Sequence, residues 1–110
     1  MFDTIKTVYI AGPITTSSAP ELNRAAFEQA ESTLEISYAV INPWRNFGGG
    51  RDNAPKVAEA VYMRTSFHQL LCCHAIYMLP GWSKSHNCRT EKAVAICLNM
   101  EVIYAPTAEK

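Results

Sequence analysis

Ala75-Ile-Tyr-Met-Leu79, followed at once by Pro80-Gly-Trp-Ser-Lys-Ser85 and then by a helical pattern carrying Glu91, is the stretch that decides the fold. The apolar run reads as a buried strand that breaks at Pro-Gly. A polar loop opens there, and a helix enters with one carboxylate in its first turns. In open α/β sheets, ligands bind in the crevice beyond the carboxyl ends of the strands, where loops of this kind sit. The rest of the chain is poor in acid–base groups, so Glu91 stands out as a candidate nucleophile or base.

Towards the amino terminus, Lys6-Thr-Val-Tyr-Ile-Ala11 is β-branched and aromatic and stops at Gly12-Pro13, which predicts a first strand. Ser17-Ser-Ala-Pro-Glu21 reads as a helix entry, and Leu22, Ala26, Phe27, Ala30 and Leu34 keep helical spacing to about Glu35. Tyr38-Ala-Val-Ile41 is a second strand closed by Asn42-Pro43. Trp44 to Ala54, with Gly48-Gly-Gly50, reads as one long loop without regular structure. Pro55 opens a second helix, apolar at Val57, Val61, Phe67, Leu70 and Leu71 and ending near Cys73. After the Ala75–Leu79 strand, a third helix is expected from Asn87 to Met100, with Glu91, Val94, Ala95 and Leu98 on its inward stripe. Glu101-Val-Ile-Tyr-Ala105 is the last strand, stopped by Pro106.

The order β-α-β-α-β-α-β calls for a parallel sheet with helices on both faces and right-handed crossovers. The first, third and fourth strands are the more apolar and are expected centrally. A flavodoxin-like three-layer sandwich follows, four parallel strands in the order 2-1-3-4 with three helices. Its switch point lies between strands one and three. No repeat or linker is visible, so 1–110 reads as one domain.

The composition agrees. Of 110 residues, 48% are hydrophobic and 18% charged, the balance of a globular chain. Ten acidic and ten basic residues give a formal charge of zero, which argues against a nucleic-acid polymer or an anionic membrane as partner. Near-neutral small domains tend to self-associate, so a homodimer or larger homo-oligomer is expected. The amino terminus shows no signal-peptide pattern, and no apolar run is long enough for a bilayer. The four cysteines lack Cys-x-x-Cys spacing and read as buried free thiols in a reducing cytoplasm. His68, His74 and His86 share no ligand spacing, so neither a metal nor another cofactor is expected. Arg64 reads as a solvated helix-face residue.

The expected switch point brings Gly12-Pro-Ile-Thr-Thr16 beside Gly81-Trp-Ser-Lys-Ser85. Both precede helices whose first N–H groups attract anions, which suggests a phosphate or carboxylate pocket. The same Ser and Thr residues serve equally well as ordinary helix caps. Glu91 is open to two readings as well: a dipole-compensating residue, or a functional carboxylate at the mouth of an apolar face. Tyr9 lies two residues before the first loop, where its phenol is either core packing or a donor to a carboxylate or sugar. Trp44 and Trp82 flank the expected crevice.

Taken together, Val8-Tyr-Ile-Ala-Gly-Pro-Ile14, Asn23-Arg-Ala-Ala-Phe27, Val40-Ile-Asn-Pro43, Tyr62-Met-Arg64, Ala75-Ile-Tyr-Met-Leu-Pro-Gly-Trp-Ser-Lys-Ser85 and Glu91-Lys-Ala-Val-Ala-Ile96 form an ordered series. The series resembles the small phage and bacterial domains of the DUF4406 type, within the nucleoside 2-deoxyribosyltransferase superfamily. That superfamily also holds the 2'-deoxynucleoside 5'-phosphate N-hydrolases. The resemblance implies a flavodoxin-like domain that cleaves N-glycosidic bonds through a glutamate nucleophile, matched here by Glu91, with Tyr9 beside it. It also implies that Gly12, Pro13 and Ile14 line the nucleoside pocket, and that Ser83 or Ser85 holds the 5' end; Trp82, from its place at the crevice, reads either as a face for a base or sugar or as interface packing.

One departure concerns the general acid. The superfamily usually carries an aspartate just after the Tyr-Met-Arg segment, and that position here is Ser66; His74 stands where a second aspartate is usual. A serine cannot supply a proton near neutral pH, and losing an acid–base partner typically costs a factor of about 10²–10⁴. Asp52 and Glu59 are the carboxyl groups available as substitutes. Two functional expectations therefore stand: cleavage or transfer at the N-glycosidic bond of a deoxynucleoside or its 5'-phosphate, and a nucleotide-binding protein without turnover. An oligomeric scaffold with no ligand is the third.

Overall fold

Thr7-Val-Tyr-Ile-Ala11 forms β1, and four of its five residues are buried, as a strand covered on both faces requires. The computed structural model describes residues 5–13, 20–47 and 59–110. Within them follow α1 (Pro20–Leu34), β2 (Ala39–Ile41), α2 (Glu59–Leu71), β3 (Ala75–Met78), α3 (His86–Cys97) and β4 (Glu101–Tyr104). Short 3-10 turns at Pro43–Phe47 and Trp82–Lys84 leave β2 and lead into α3. The expected entry at Ser17–Ala19, the loop from Gly48 and the Pro55 helix start lie outside the described residues.

The sheet is four-stranded and wholly parallel, in the order β2-β1-β3-β4. Tyr9 aligns with Ile41 on one side and Ile76 on the other. Helix α1 lies against β1 and β2, whereas α3 lies against β1, β3 and β4 and carries α2 beside it. The result is the flavodoxin-like three-layer arrangement that right-handed crossovers produce.

The structure corrects several local expectations. Strand β4 is an edge strand, half-buried along most of its length, and only β1 and β3 are central. The first residues of the expected long loop form the Pro43–Phe47 turn, because Asn42 Oδ1 accepts the Trp44 N–H and fixes the chain as β2 ends. Helix α3 stops at Cys97 rather than Met100. Asn99 takes φ 60°, and the Met100 and Asn99 N–H groups donate to the Ala95 and Ile96 carbonyls, a Schellman stop. Leu98 is therefore 49% exposed and leaves the inward stripe to Cys88, Glu91 and Ala95. In α2 the inward stripe is Tyr62, Ser66 and Leu70, while Val61 and Leu71 face outwards. Of the four free cysteines only Cys73 and Cys88 are buried; Cys72 and Cys97 are exposed.

Candidate active site

Strand β1 delivers Tyr9 into the core, fully buried and pointing at α3. Its phenol donates to Glu91 Oε2 at 2.6 Å, so the carboxylate is gripped from the sheet's centre. Glu91 is only 4% exposed. Burial disfavours its charged form and raises its pKa to about 7, while the Tyr9 hydrogen bond pulls the other way. A carboxylate held near neutrality is poised between nucleophile or base and acid. The Tyr9 hydroxyl is itself pushed well above its ordinary range, by burial first and then by the Glu91 charge.

Two further residues complete this buried group: Tyr62, marked in the sequence only as part of Tyr62-Met-Arg64, and Ser66, which stands where the resemblance expects a general acid. Tyr62 and Ser66, one turn apart on α2, stack on the helix face that meets α3, and the Ser66 hydroxyl is hydrogen-bonded to both the Tyr62 and Tyr9 phenols. Tyr62 is also raised, again chiefly by burial. On the inward stripe of α3, one turn before Glu91, Cys88 is buried and its thiol is pushed up to about 12, mostly by desolvation, which keeps it protonated and inert. Hydroxyl residues on the inward stripe of α2 were the available signal, since an apolar helix face that includes Tyr and Ser needs internal partners for them.

The α3 entry is built from capping and from the chain's last residues. Ser85 is the N-cap: its Oγ accepts the Cys88 N–H at 3.3 Å. Ser83 is held by Glu109. The Glu109 carboxylate accepts from the Ser83 hydroxyl at 2.5 Å and from the Gly81 and Ser83 N–H groups, and the Trp82 indole donates to the Glu109 carbonyl. These donors, the Ser83 hydroxyl first, hold the Glu109 pKa down to about 2. Gly81 takes φ 90°, which opens this cradle and is natural for glycine alone. Trp82 is buried against Tyr104, with the Lys92 ammonium 4.3 Å from its ring centre. Trp44 packs on Phe27. Glu109 lay outside the motifs, and nothing in its local sequence marks it.

The loops after β1 and β3 meet: a side chain placed on Gly81 would lie 3.4 Å from Pro13. Gly12 faces the α1 side, where a Cβ would come within 2.8 Å of Leu79 Cδ1 and 3.1 Å of Phe27. Ile14 and Asp52 lie outside the described residues, as does the side chain of Glu59. In the second turn of α1, Asn23 buries its amide nitrogen with no hydrogen-bond partner among the described residues. His74, at the opposite end of β3, accepts the Thr7 N–H through Nδ1 and ties the two central strands together at their starts. Arg64 is exposed. A groove of about 350 Å³ lies between α1 and the residues that follow β3 and β4, lined by Ala30, Tyr77, Pro80 and Thr107 among others; Glu91 is not part of it. Among the described residues no cluster of three or more His, Cys, Asp or Glu side chains is placed to hold a metal, and no helix is long and apolar enough to cross a membrane.

A family model matches residues 6–104, a span that includes Tyr9, Ser66 and Glu91. The chain belongs to the DUF4406 family. The family's description is a domain of unknown function, so membership gives this DUF4406 domain relatives but no reaction. No curated protein matches the sequence.

Proposed function

We propose that this DUF4406 domain cleaves or transfers the N-glycosidic bond of deoxynucleosides or deoxynucleoside 5'-phosphates, as a member of the nucleoside 2-deoxyribosyltransferase superfamily. The observation that supports the reading is the buried Tyr9–Glu91 pair, held between the middle of β1 and the inward face of α3. Burying a carboxylate costs several kcal/mol unless it is compensated, so its retention on the inward face of α3 argues for a use. In this reading Glu91 attacks C1', the base leaves, and the glycosyl-enzyme passes its sugar to water or to another base. Tyr9 orients the carboxylate. Gly12, Pro13, Ile14 and Trp82 line the nucleoside side, and Ser83 or Ser85 meets the 5' end. The protein acts as a cytoplasmic homodimer or larger homo-oligomer.

A specific observation favours a second reading, nucleotide binding without turnover. Ser66 is fully buried at the position where an acid is needed, engaged with two phenols instead of carrying a carboxyl group.

A 2-fluoro-arabinosyl nucleoside decides between them. The fluorine destabilises the oxocarbenium-like transition state and slows release of the sugar more than its capture when the leaving base is good. Mass spectrometry is expected to find the sugar on the peptide containing Glu91, with none on Glu91→Ala. Tight nucleotide binding with neither adduct nor free base selects the second reading.

A further inference from the structure

The Tyr9 phenol has one proton, and at 2.6 Å from Glu91 Oε2 that proton is committed to the carboxylate. What remains on the Tyr9 oxygen is acceptor capacity, and the group that meets it is the Ser66 hydroxyl, fully buried on α2. Ser66 also has one proton. Once that proton goes to Tyr9, Ser66 must accept from its other partner, the Tyr62 phenol one helical turn earlier. While Glu91 is charged, donor counting leaves one direction: Tyr62 to Ser66, Ser66 to Tyr9, Tyr9 to Glu91.

We infer that Ser66 is a positioning residue for Glu91, its hydroxyl joining the Tyr62 and Tyr9 phenols into a one-way chain of hydrogen bonds that ends on the carboxylate and keeps it charged and aimed. Each hydroxyl that accepts a hydrogen bond becomes a better donor, so the chain strengthens its last link beyond an isolated phenol. An aspartate at this place has the opposite effect. As an anion it only accepts, it competes with Glu91 for the Tyr9 proton, and it adds a like charge to a buried site. Serine at this position therefore favours the charged carboxylate against the burial that opposes it. The role described for Ser66 rests on the reading of Glu91 as the attacking group, but the hydrogen-bond chain exists in the resting protein.

The other groups facing Glu91 do not take over this task. On its own helix Cys88 is a protonated thiol, with Arg89 and Glu109 acting on it from beyond. Lys92 turns away to the Trp82 and Tyr104 rings. Strand β1 contributes Tyr9, and α2 contributes Tyr62 and Ser66.

The test is a carbon-13 NMR titration of side-chain carboxyl groups in the whole protein without substrate, with Glu91 assigned by its loss in Glu91→Gln. Ser66→Ala is expected to raise the Glu91 midpoint by about half a unit to one unit, the pKa equivalent of a single neutral hydrogen bond. Tyr62→Phe shifts it the same way by less, and Ser66→Thr, which keeps the hydroxyl, returns it towards the original value. Tyr9→Phe, which removes the final link, gives the largest rise and serves as the control. An unchanged or lowered midpoint in Ser66→Ala overturns the inference; it is the result expected if Ser66 spends its proton on the carbonyl of its own helix, as mid-helix serines often do. Turnover is read separately. If the protein releases base, Ser66→Ala moves the acid limb of the kcat–pH profile upwards with little change in KM. If it releases none, the glycosidic reading fails while the titration still decides the chain.

Discussion

The Tyr9 hydroxyl lies 2.6 Å from the Glu91 carboxylate, although 82 residues separate the two in the chain. Replacing Tyr9 with Phe keeps the ring's packing and removes only the donor. Above pH 7, where Glu91 is charged, the orphaned carboxylate should lower stability by about 1–3 kcal/mol. At pH 5 the carboxyl is protonated and the loss should be smaller. Urea unfolding of wild type and variant at both pH values measures the difference.

Glu91 itself should weaken the fold at alkaline pH. Its pKa is about 7 in the folded protein against 4.5 for the ordinary group, so the folded state binds the extra proton between these values. Stability is then fully present below about pH 4.5 and declines as pH rises through 7. A shift of this size is worth on the order of 3 kcal/mol. Glu91→Gln should therefore be more stable than wild type at pH 8 by that order, with little gain at pH 4.5. Chemical denaturation that finds the same difference at both pH values would remove the case for a raised Glu91.

Gly12→Ala should destabilise by about 1–3 kcal/mol, the usual cost of overpacking. Leu79 Cδ1 can swing away from the new methyl, but the Phe27 ring and Leu79 Cβ sit at 3.1 Å and belong to the α1–sheet contact. A thermal melt of the variant measures the cost.

The Ser83 hydroxyl gives its one proton to Glu109, so the Glu109 charge competes with any anion at this loop. Glu109→Gln removes the negative charge from the Gly81–Ser83 cradle, so deoxynucleoside monophosphates should bind about threefold to tenfold more tightly, a difference of up to about 1.4 kcal/mol. Unphosphorylated deoxynucleosides should be unaffected. Calorimetric titration of both ligand types gives the comparison. The native contact is present above about pH 4.5 and is lost as pH falls through 2, because the Glu109 pKa is depressed.

Strands were legible because β1 and β3, buried on both faces, are written as unbroken apolar runs; alternation with helices then called for parallel pairing, and the order 2-1-3-4 came from the flavodoxin-like analogy. Apolar content was a weaker guide to depth in the sheet: Val102, Ile103 and Tyr104 are as apolar as a central strand, yet they lie at the edge. Helix faces were harder still. Tyr62 and Ser66 look polar in a linear pattern and became inward residues only because partners on β1 and α3 satisfy their hydroxyls. The Glu91–Tyr9 pairing was within reach through strand order and helix position. The Glu109 clasp was not, since it depends on how the chain turns after β4 and no local spacing encodes that path.

The central place of β1 has a consequence during synthesis. Val8-Tyr-Ile-Ala11 leaves the ribosome well before its neighbour β3, which ends only at Met78. At roughly 5–20 residues per second, the nascent chain holds this apolar segment for several seconds with one edge lacking its eventual partner. Until β3 arrives, that edge is open to other nascent chains and to chaperones. Yield in the cell should therefore depend on how quickly the middle of the message is translated, a sensitivity that a chain with its first strand at the sheet's edge would largely escape.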